Sequence, residues 1–433
     1  VAIELLGLFA MLGMLVLMIL RVPIAIAMII PAIIGITYLR GWDTLGVAIE
    51  STVWTHSLNY ILTTIPMFIL MGELLFVSKV TDELFSTFRK WFGKLRGGLS
   101  MATIGASATF AAASGSSIAT TGTIGIISSK EMLKANYNNS LTGGSIVAGG
   151  TLGILIPPST MLIIYGMLSG ESIGKLLVAG IFPGIILALL YIVTISILVY
   201  FNPSLAPKGE SSTWKERIYS LRNILWILIL FTVVIGGMYF GWYSPTEAAS
   251  IGAFGAFSIA LIRRKLNWSN LILAVSRTIK TTGFLFAIVL GSFILNYFLV
   301  ITRLPNLIAT SISNLGLSTW VIFLLIIAMY LLLGAVMDSL SMIVITMPIM
   351  IPIILGLGFD LIWFGIIVVL VVEMALITPP IGMSCFVLNG VAPELKIEQI
   401  FKGAIVFLLP IFVLIALIYF IPEIVLFLPN NMY

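Results

Sequence analysis

Two clusters of small hydroxyl residues and two proline pairs are the parts of this chain whose composition suits ion chemistry. Ala113 to Thr121 reads A-S-G-S-S-I-A-T-T, and a second stretch carries Gly143-Gly144, Gly149-Gly150-Thr151-Leu152-Gly153 and Pro157-Pro158-Ser159. Further on, Asp338-Ser339-Leu340-Ser341 and Thr378-Pro379-Pro380-Ile381-Gly382 echo the same pattern. Proline lacks an N–H and clashes with the preceding helical turn, so a pair of them frees carbonyls from intrahelical bonds. Freed carbonyl ends carry partial negative charge, and helix N-termini carry partial positive charge. With Ser and Thr hydroxyls, these are the neutral oxygens that can cage a sodium ion. Small residues also serve close helix packing in membranes. Packing is the stronger reading for any single serine, and ligation is the stronger one for a cluster facing a broken helix.

The acidic residues divide by setting. Asp338 could bind a cation or cap a half-helix, and Glu373 could form a salt bridge or a hydrogen-bonded anchor between domains. Carboxylates at membrane depth are costly and mark function by default. Glu73 and Glu247 read as helix-end and packing residues, with Ser244-Pro245-Thr246-Glu247 forming a helix start. His56, beside Trp54, reads as a surface residue. One cysteine (Cys385) and one histidine exclude an intrachain disulfide, a Cys-rich metal site and a His cluster. There is no phosphate-binding loop for ATP hydrolysis. An intramembrane protease, the reading from another functional class, would leave the internal repeat described below unexplained.

The elements that must hold these residues lie in a membrane. Of 433 residues 60% are hydrophobic and 9% charged, where soluble domains run near 25% charged. Spans are expected at about 3–20, 22–39, 59–78, 141–168 (broken), 176–201, 222–241, 245–262, 282–301, 360–389 (broken) and 400–427. The first is read as a retained helix, since no basic region precedes it and no A-x-A site follows. Two longer apolar stretches, about 99–135 and 318–356, each hold a polar turn and are read as re-entrant hairpins. Amphipathic connectors fall at about 42–55, 80–96, 266–280 and 303–315. With the N-terminus outside and every span crossing, 19 of the 22 Lys and Arg residues, Lys79, Lys130 and Arg277 among them, lie on the cytoplasmic side. Only Arg40, Lys175 and Arg303 fall outside, the asymmetry that positive-inside sorting produces.

The chain repeats itself at an interval of 222 residues. Pro23 falls on Pro245, Pro157-Pro158 on Pro379-Pro380, Gly115 on Met337, and the connector at 42–55 on that at 266–280. Five spans separate equivalent helices, so the two halves must have opposite orientation. Inverted repeats with a broken helix in each half are the architecture of alternating-access carriers.

GSSIATTGTIG, AGGTLGILIPPS, SPTEAA, and the Asp338 hairpin followed by ITPPIG resemble the large membrane subunit of tripartite ATP-independent periplasmic (TRAP) transporters, over essentially the whole chain. The resemblance implies an all-α, inverted-repeat elevator of about 10 full spans, with two hairpins and two discontinuous helices. It implies scaffold segments at 1–58, 172–281 and 395–433, and a transport domain at 59–171 and 282–394. It also implies sodium-driven uptake of an organic acid such as a C4-dicarboxylate, sugar acid or sialic acid, with at least two Na⁺ ions. The family's sodium sites map here to Ser114, Gly115, Ser116, Ser117, Gly150, Thr151, Gly153 and Pro157, and to Asp338, Ser339, Ser341, Thr378, Pro379 and Gly382. Candidate substrate contacts are Ser116, Ser117, Thr120, Pro158, Ser159, Ser341 and Pro380. Implied partners are a small four-helix membrane subunit, expected as a separate chain, and a periplasmic substrate-binding protein. The expected location is the bacterial inner membrane, with both termini periplasmic. The alternative function is a stand-alone sodium–carboxylate or anion symporter of the same architecture.

Overall fold

The computed structural model describes residues 3–78, 80–209, 211–334, 337–380 and 382–433, and they form an all-helical protein. Lys79 and Ile381, which entered the sequence reading, lie outside the described residues. Among those described, eight helices are long and apolar enough to cross a membrane, or nine if the bent pair Asn139–Leu155 and Thr160–Ser169 is one span. The eight include Ser339–Gly356, expected as one arm of the second hairpin. Two helices behind the expected ten, Ile3–Ile19 and Leu361–Ile377, have 17 residues each. That is roughly 25 Å of helix against a hydrocarbon core of about 30 Å.

Residues 222 apart perform the same local task. Ser116 caps Ser117–Lys134 by accepting from Ala119 N at 3.3 Å, and Asp338 caps Ser339–Gly356 by accepting from Leu340 N at 3.2 Å and Ser341 N at 3.3 Å. Asn138 caps Asn139–Leu155 and Asp360 caps Leu361–Ile377, each through backbone N–H groups of the first turn. Such side chains satisfy donors that a helix start leaves unpaired. Both Pro-Pro bonds, Pro157-Pro158 and Pro379-Pro380, are cis. Ser244 and Glu247 form a reciprocal cap at the start of Pro245–Ile262, as its sequence indicates.

Packing between the halves is reciprocal. Thr64–Val77 packs along Pro245–Ile262, and Trp268–Ile301 packs along Ile24–Ser57. Ser117–Lys134 packs on Met383–Val391, beyond the second Pro-Pro pair, while Ser339–Gly356 packs on Thr160–Ser169, beyond the first. The second arm of each helix–tip–helix unit therefore leans on the broken helix of the opposite half as well as on its own.

The halves differ where their breakers differ. Ile24–Ser57 carries a kink at Gly41 (φ 81°, ψ 174°), as the expected junction between span and connector requires. It then stops before a short 3-10 turn, Tyr60–Thr63, whose Ile61 N is accepted by the Asn59 side chain. The equivalent connector and span of the second half, expected as separate pieces near 266–280 and 282–301, are one continuous 34-residue helix, Trp268–Ile301. Lys280-Thr281-Thr282-Gly283 holds no proline, and open space around Gly283 lets the helix run on. The expected 400–427 span is divided at Phe407 and at Ile421-Pro422, into Ile397–Val406, Leu408–Phe420 and Glu423–Asn430. His56 is not a free surface residue: it is half-buried and stacks on Phe293, ring centroids 3.5 Å apart and planes within 5°.

Candidate functional site

The first tip closes onto its own broken helix at a distance only glycine permits. Gly98–Ser114 ends at Gly115 in a left-handed conformation (φ 60°). A Cβ on Gly115 would run into the carbonyl oxygen of Pro158. A Cβ on Gly153 would lie 2.6 Å from Ser116 O and 2.7 Å from Ser117 N. One on Gly150 would occupy the place of Thr121 Oγ1. Thr160 Oγ1 donates to Gly115 O at 3.1 Å, and Ser114 and Thr120 share a hydroxyl contact of 2.9 Å. Thr120 also donates to Ser116 O at 2.8 Å. On the far side, Gly72 allows Thr64–Val77 to back the tip, since a Cβ there would lie 2.7 Å from Ala113 O. Ser114 through Ser117 is thus brought together with Gly150, Gly153, Pro158 and Thr160. Pro157 and Ser159 are buried in the same break, and Ser159 caps Thr160–Ser169 by accepting from Leu162 N at 3.2 Å. Thr151 points elsewhere, sharing a 2.8 Å contact with the buried Tyr191 hydroxyl.

The second tip is arranged differently. Ser341 donates to Asp338 Oδ1, so Asp338 is held by its own helix start, which is its capping role. Among the described residues no hydrogen bond joins Asp338–Ser341 to Thr378–Gly382. Thr378 Oγ1 donates back to Met374 O at 2.6 Å, and a Cβ on Gly382 would meet Phe401. Gly334 packs against Ala375, one turn before the break. Pro379 and Pro380 are exposed, whereas Pro157 and Pro158 are buried. Val372 and Ala375 stand where the first half has Gly150 and Gly153.

A cavity of about 630 Å³ joins the two tips. Ser114, Ser116 and Thr160 line it from the first half, Asp338 and Ser339 from the second. Its remaining charged lining is Glu73 and Arg277, paired at 3.5 Å. Ser117, Thr120 and Ser341, proposed as substrate contacts, are buried behind this lining. Neither Arg277 nor Thr160 was singled out from sequence. Arg277 read as a connector residue and Glu73 as a helix-end residue. They are 204 positions apart, with no spacing to relate them.

Glu373 has a partner the sequence left open. It is 1% exposed and accepts from Ser117 Oγ at 2.6 Å, so the second broken helix holds the first tip. Glu373 Oε2 and Thr121 Oγ1 are buried without a hydrogen-bond partner among the described residues.

Comparison with known proteins places this geometry. Residues 11–424 match the model of the DctM component of tripartite ATP-independent periplasmic transporters. The chain is 34% identical over 373 residues to the C4-dicarboxylate TRAP transporter large permease protein DctM of Pseudomonas aeruginosa, covering 86% of this chain and 87% of that one. It is 29% identical over 429 residues to the sialic acid TRAP transporter permease protein SiaT of Haemophilus influenzae, covering 97% and 68%. The crystal structure of the YdaH transporter of Alcanivorax borkumensis superposes with a TM-score of 0.63 at 13% identity over 88% of this chain and 90% of that one, a likeness of fold. The chain belongs to the DctM family, the large permease subunits of TRAP transporters, and is a multi-pass membrane transporter subunit rather than an enzyme.

Proposed function

We propose that the chain carries out sodium-coupled uptake of an organic acid by an elevator movement, receiving the acid from a periplasmic binding protein. The observation that carries this reading is the cavity between the two tips. Hydroxyls and both signs of charge stand among its apolar walls, and one wall is the first tip, where Ser116 O lies against Gly153 and Pro158 O against Gly115. Backbone oxygens such as those of Ser116, at Gly153, and Pro158, at Gly115, are the neutral ligands that a sodium ion prefers. Asp338 supplies a carboxylate at the second tip. The acid is a carboxylate of the C4-dicarboxylate, sialic acid or sugar-acid type, as the names of the relatives suggest.

In this reading the scaffold comprises 1–58, 172–281 and 395–433, and 59–171 with 282–394 moves. The boundary between 281 and 282 falls inside Trp268–Ile301, so that helix serves as a stiff lever between them. Both hairpins are re-entrant, both termini are periplasmic, and a small membrane subunit completes the complex in the bacterial inner membrane. The test is uptake into proteoliposomes holding the large and small subunits, with each acid, with and without the binding protein and a sodium gradient. Uptake that needs both supports the proposal. Sodium-driven uptake without the binding protein supports a stand-alone symporter, and uptake that persists without sodium overturns the coupling.

A further inference from the structure

We propose that Arg277 is the subsite that reads the carboxylate of the transported acid, with Glu73 as its resting partner. The inference rests on the organic-acid reading above and adds the residue that recognises the charge. Arg277 lies on Trp268–Ile301 and Glu73 on Thr64–Val77, and both face the cavity that Ser114, Ser116, Thr160 and Asp338 line. Their contact is a single approach of Nη1 to Oε2 at 3.5 Å, beyond the usual range of an N–H···O bond. Glu73 is the one polar partner of Arg277 among the described residues, and the Phe76 ring lies 5.3 Å from the guanidinium carbon.

A guanidinium presents five donors in a planar fork that fits a carboxylate with two parallel hydrogen bonds. Here one donor is weakly engaged and the fork remains available to the cavity. The side chains of Arg277 and Glu73 are 45% and 24% exposed, and a long ion pair in such a setting contributes little to folding. Asp338, the remaining charged group of the lining, is turned to the N–H groups of Leu340 and Ser341 and to the Ser341 hydroxyl. Arg277 is therefore the lining cation that an acid can engage, by replacing one carboxylate with another. With two carboxylates and one guanidinium on the walls, an entering anion also needs added positive charge, which a co-bound sodium ion would supply.

The test uses the full-length chain in lipid nanodiscs, with thermal stabilisation by sodium succinate, sodium N-acetylneuraminate and sodium gluconate measured against sodium chloride. At least one acid is expected to stabilise the wild-type protein. Arg277→Gln should weaken its apparent affinity at least tenfold, Arg277→Lys less, and Glu73→Gln should strengthen it several-fold by freeing the fork. These opposite signs distinguish a subsite from a structural pair, for which both variants would lower the melting temperature without ligand and leave affinity alone. Unchanged affinity in Arg277→Gln, or equal weakening in Glu73→Gln, overturns the subsite and leaves the organic-acid reading standing. If Arg277→Gln does not fold, Arg277→Lys and Glu73→Gln carry the same comparison of signs. Failure of all three acids to stabilise the wild-type protein overturns the organic-acid reading and the subsite with it.

Discussion

Ser117 Oγ donates to Glu373 Oε1 at 2.6 Å, tying the first tip to the broken helix of the other half across 256 residues of chain. Both groups are buried, so neither can turn to water if the other is lost. Ser117→Ala should lower stability by about 1–3 kcal/mol, the usual cost of a buried acceptor left unpaired. Glu373→Gln, which keeps an acceptor oxygen, should cost less than Glu373→Ala. Unfolding titrations in mixed micelles measure each, and the double variant Ser117→Ala/Glu373→Ala gives the coupling. A neutral Ser117→Ala would show that the bond is incidental.

Close approach at the first tip should be limited by single methyl groups. Gly153→Ala puts a Cβ 2.6 Å from Ser116 O, and Gly115→Leu puts a side chain at a left-handed position against Pro158 O. Both should cut uptake more than tenfold while membrane expression stays near wild type. Gly390, with open space around it, is the control: Gly390→Ala should leave uptake intact. Full activity in Gly153→Ala would remove the reason for placing an ion there.

Charge and capping at Asp338 can be separated. Asn caps helices about as well as Asp, whereas Ala loses roughly 1 kcal/mol. Asp338→Asn should therefore keep the stability of Ser339–Gly356 and raise the sodium concentration for half-maximal uptake several-fold. Asp338→Ala should do this and also lower the melting temperature. Sodium dependence identical to wild type in Asp338→Asn would remove Asp338 from the coupling site.

The moving boundary is open to crosslinking. Thr64 and Thr246 hydroxyls lie 3.0 Å apart between Thr64–Val77 and Pro245–Ile262. A disulfide formed in Thr64→Cys/Thr246→Cys should stop transport and be reversed by reductant, because it joins the proposed moving segment to the proposed scaffold. Transport at wild-type rate through the oxidised pair would place Thr64–Val77 with the scaffold.

Orientation is read by labelling single cysteines from each side. Lys130→Cys should react from the cytoplasm and Asn306→Cys from the periplasm. Reaction of both from one side would sink the inverted arrangement.

Much of the architecture was legible because membranes and backbone chemistry leave few options. Apolar runs of bilayer length must be helices, and Gly-, Ser- and Pro-rich chain among them must be sheltered by protein. The interval that maps Pro157-Pro158 onto Pro379-Pro380 also maps the cap Ser116 onto Asp338 and Asn138 onto Asp360, so sequence by itself determined the repeat and its punctuation. Ser244 and Glu247 were legible for the same reason: a cap acts over three residues. What only the tertiary structure decided is how the halves meet. The Ser117–Glu373 bond, the Arg277–Glu73 pair and the lean of each second arm on the opposite half join residues far apart in the chain. No local pattern encodes such contacts, because they depend on the angle and separation at which helices pack. The first tip shows the same dependence: a Cβ on Gly150 or Gly153 is excluded only because Ser116, Ser117 and Thr121 stand opposite them.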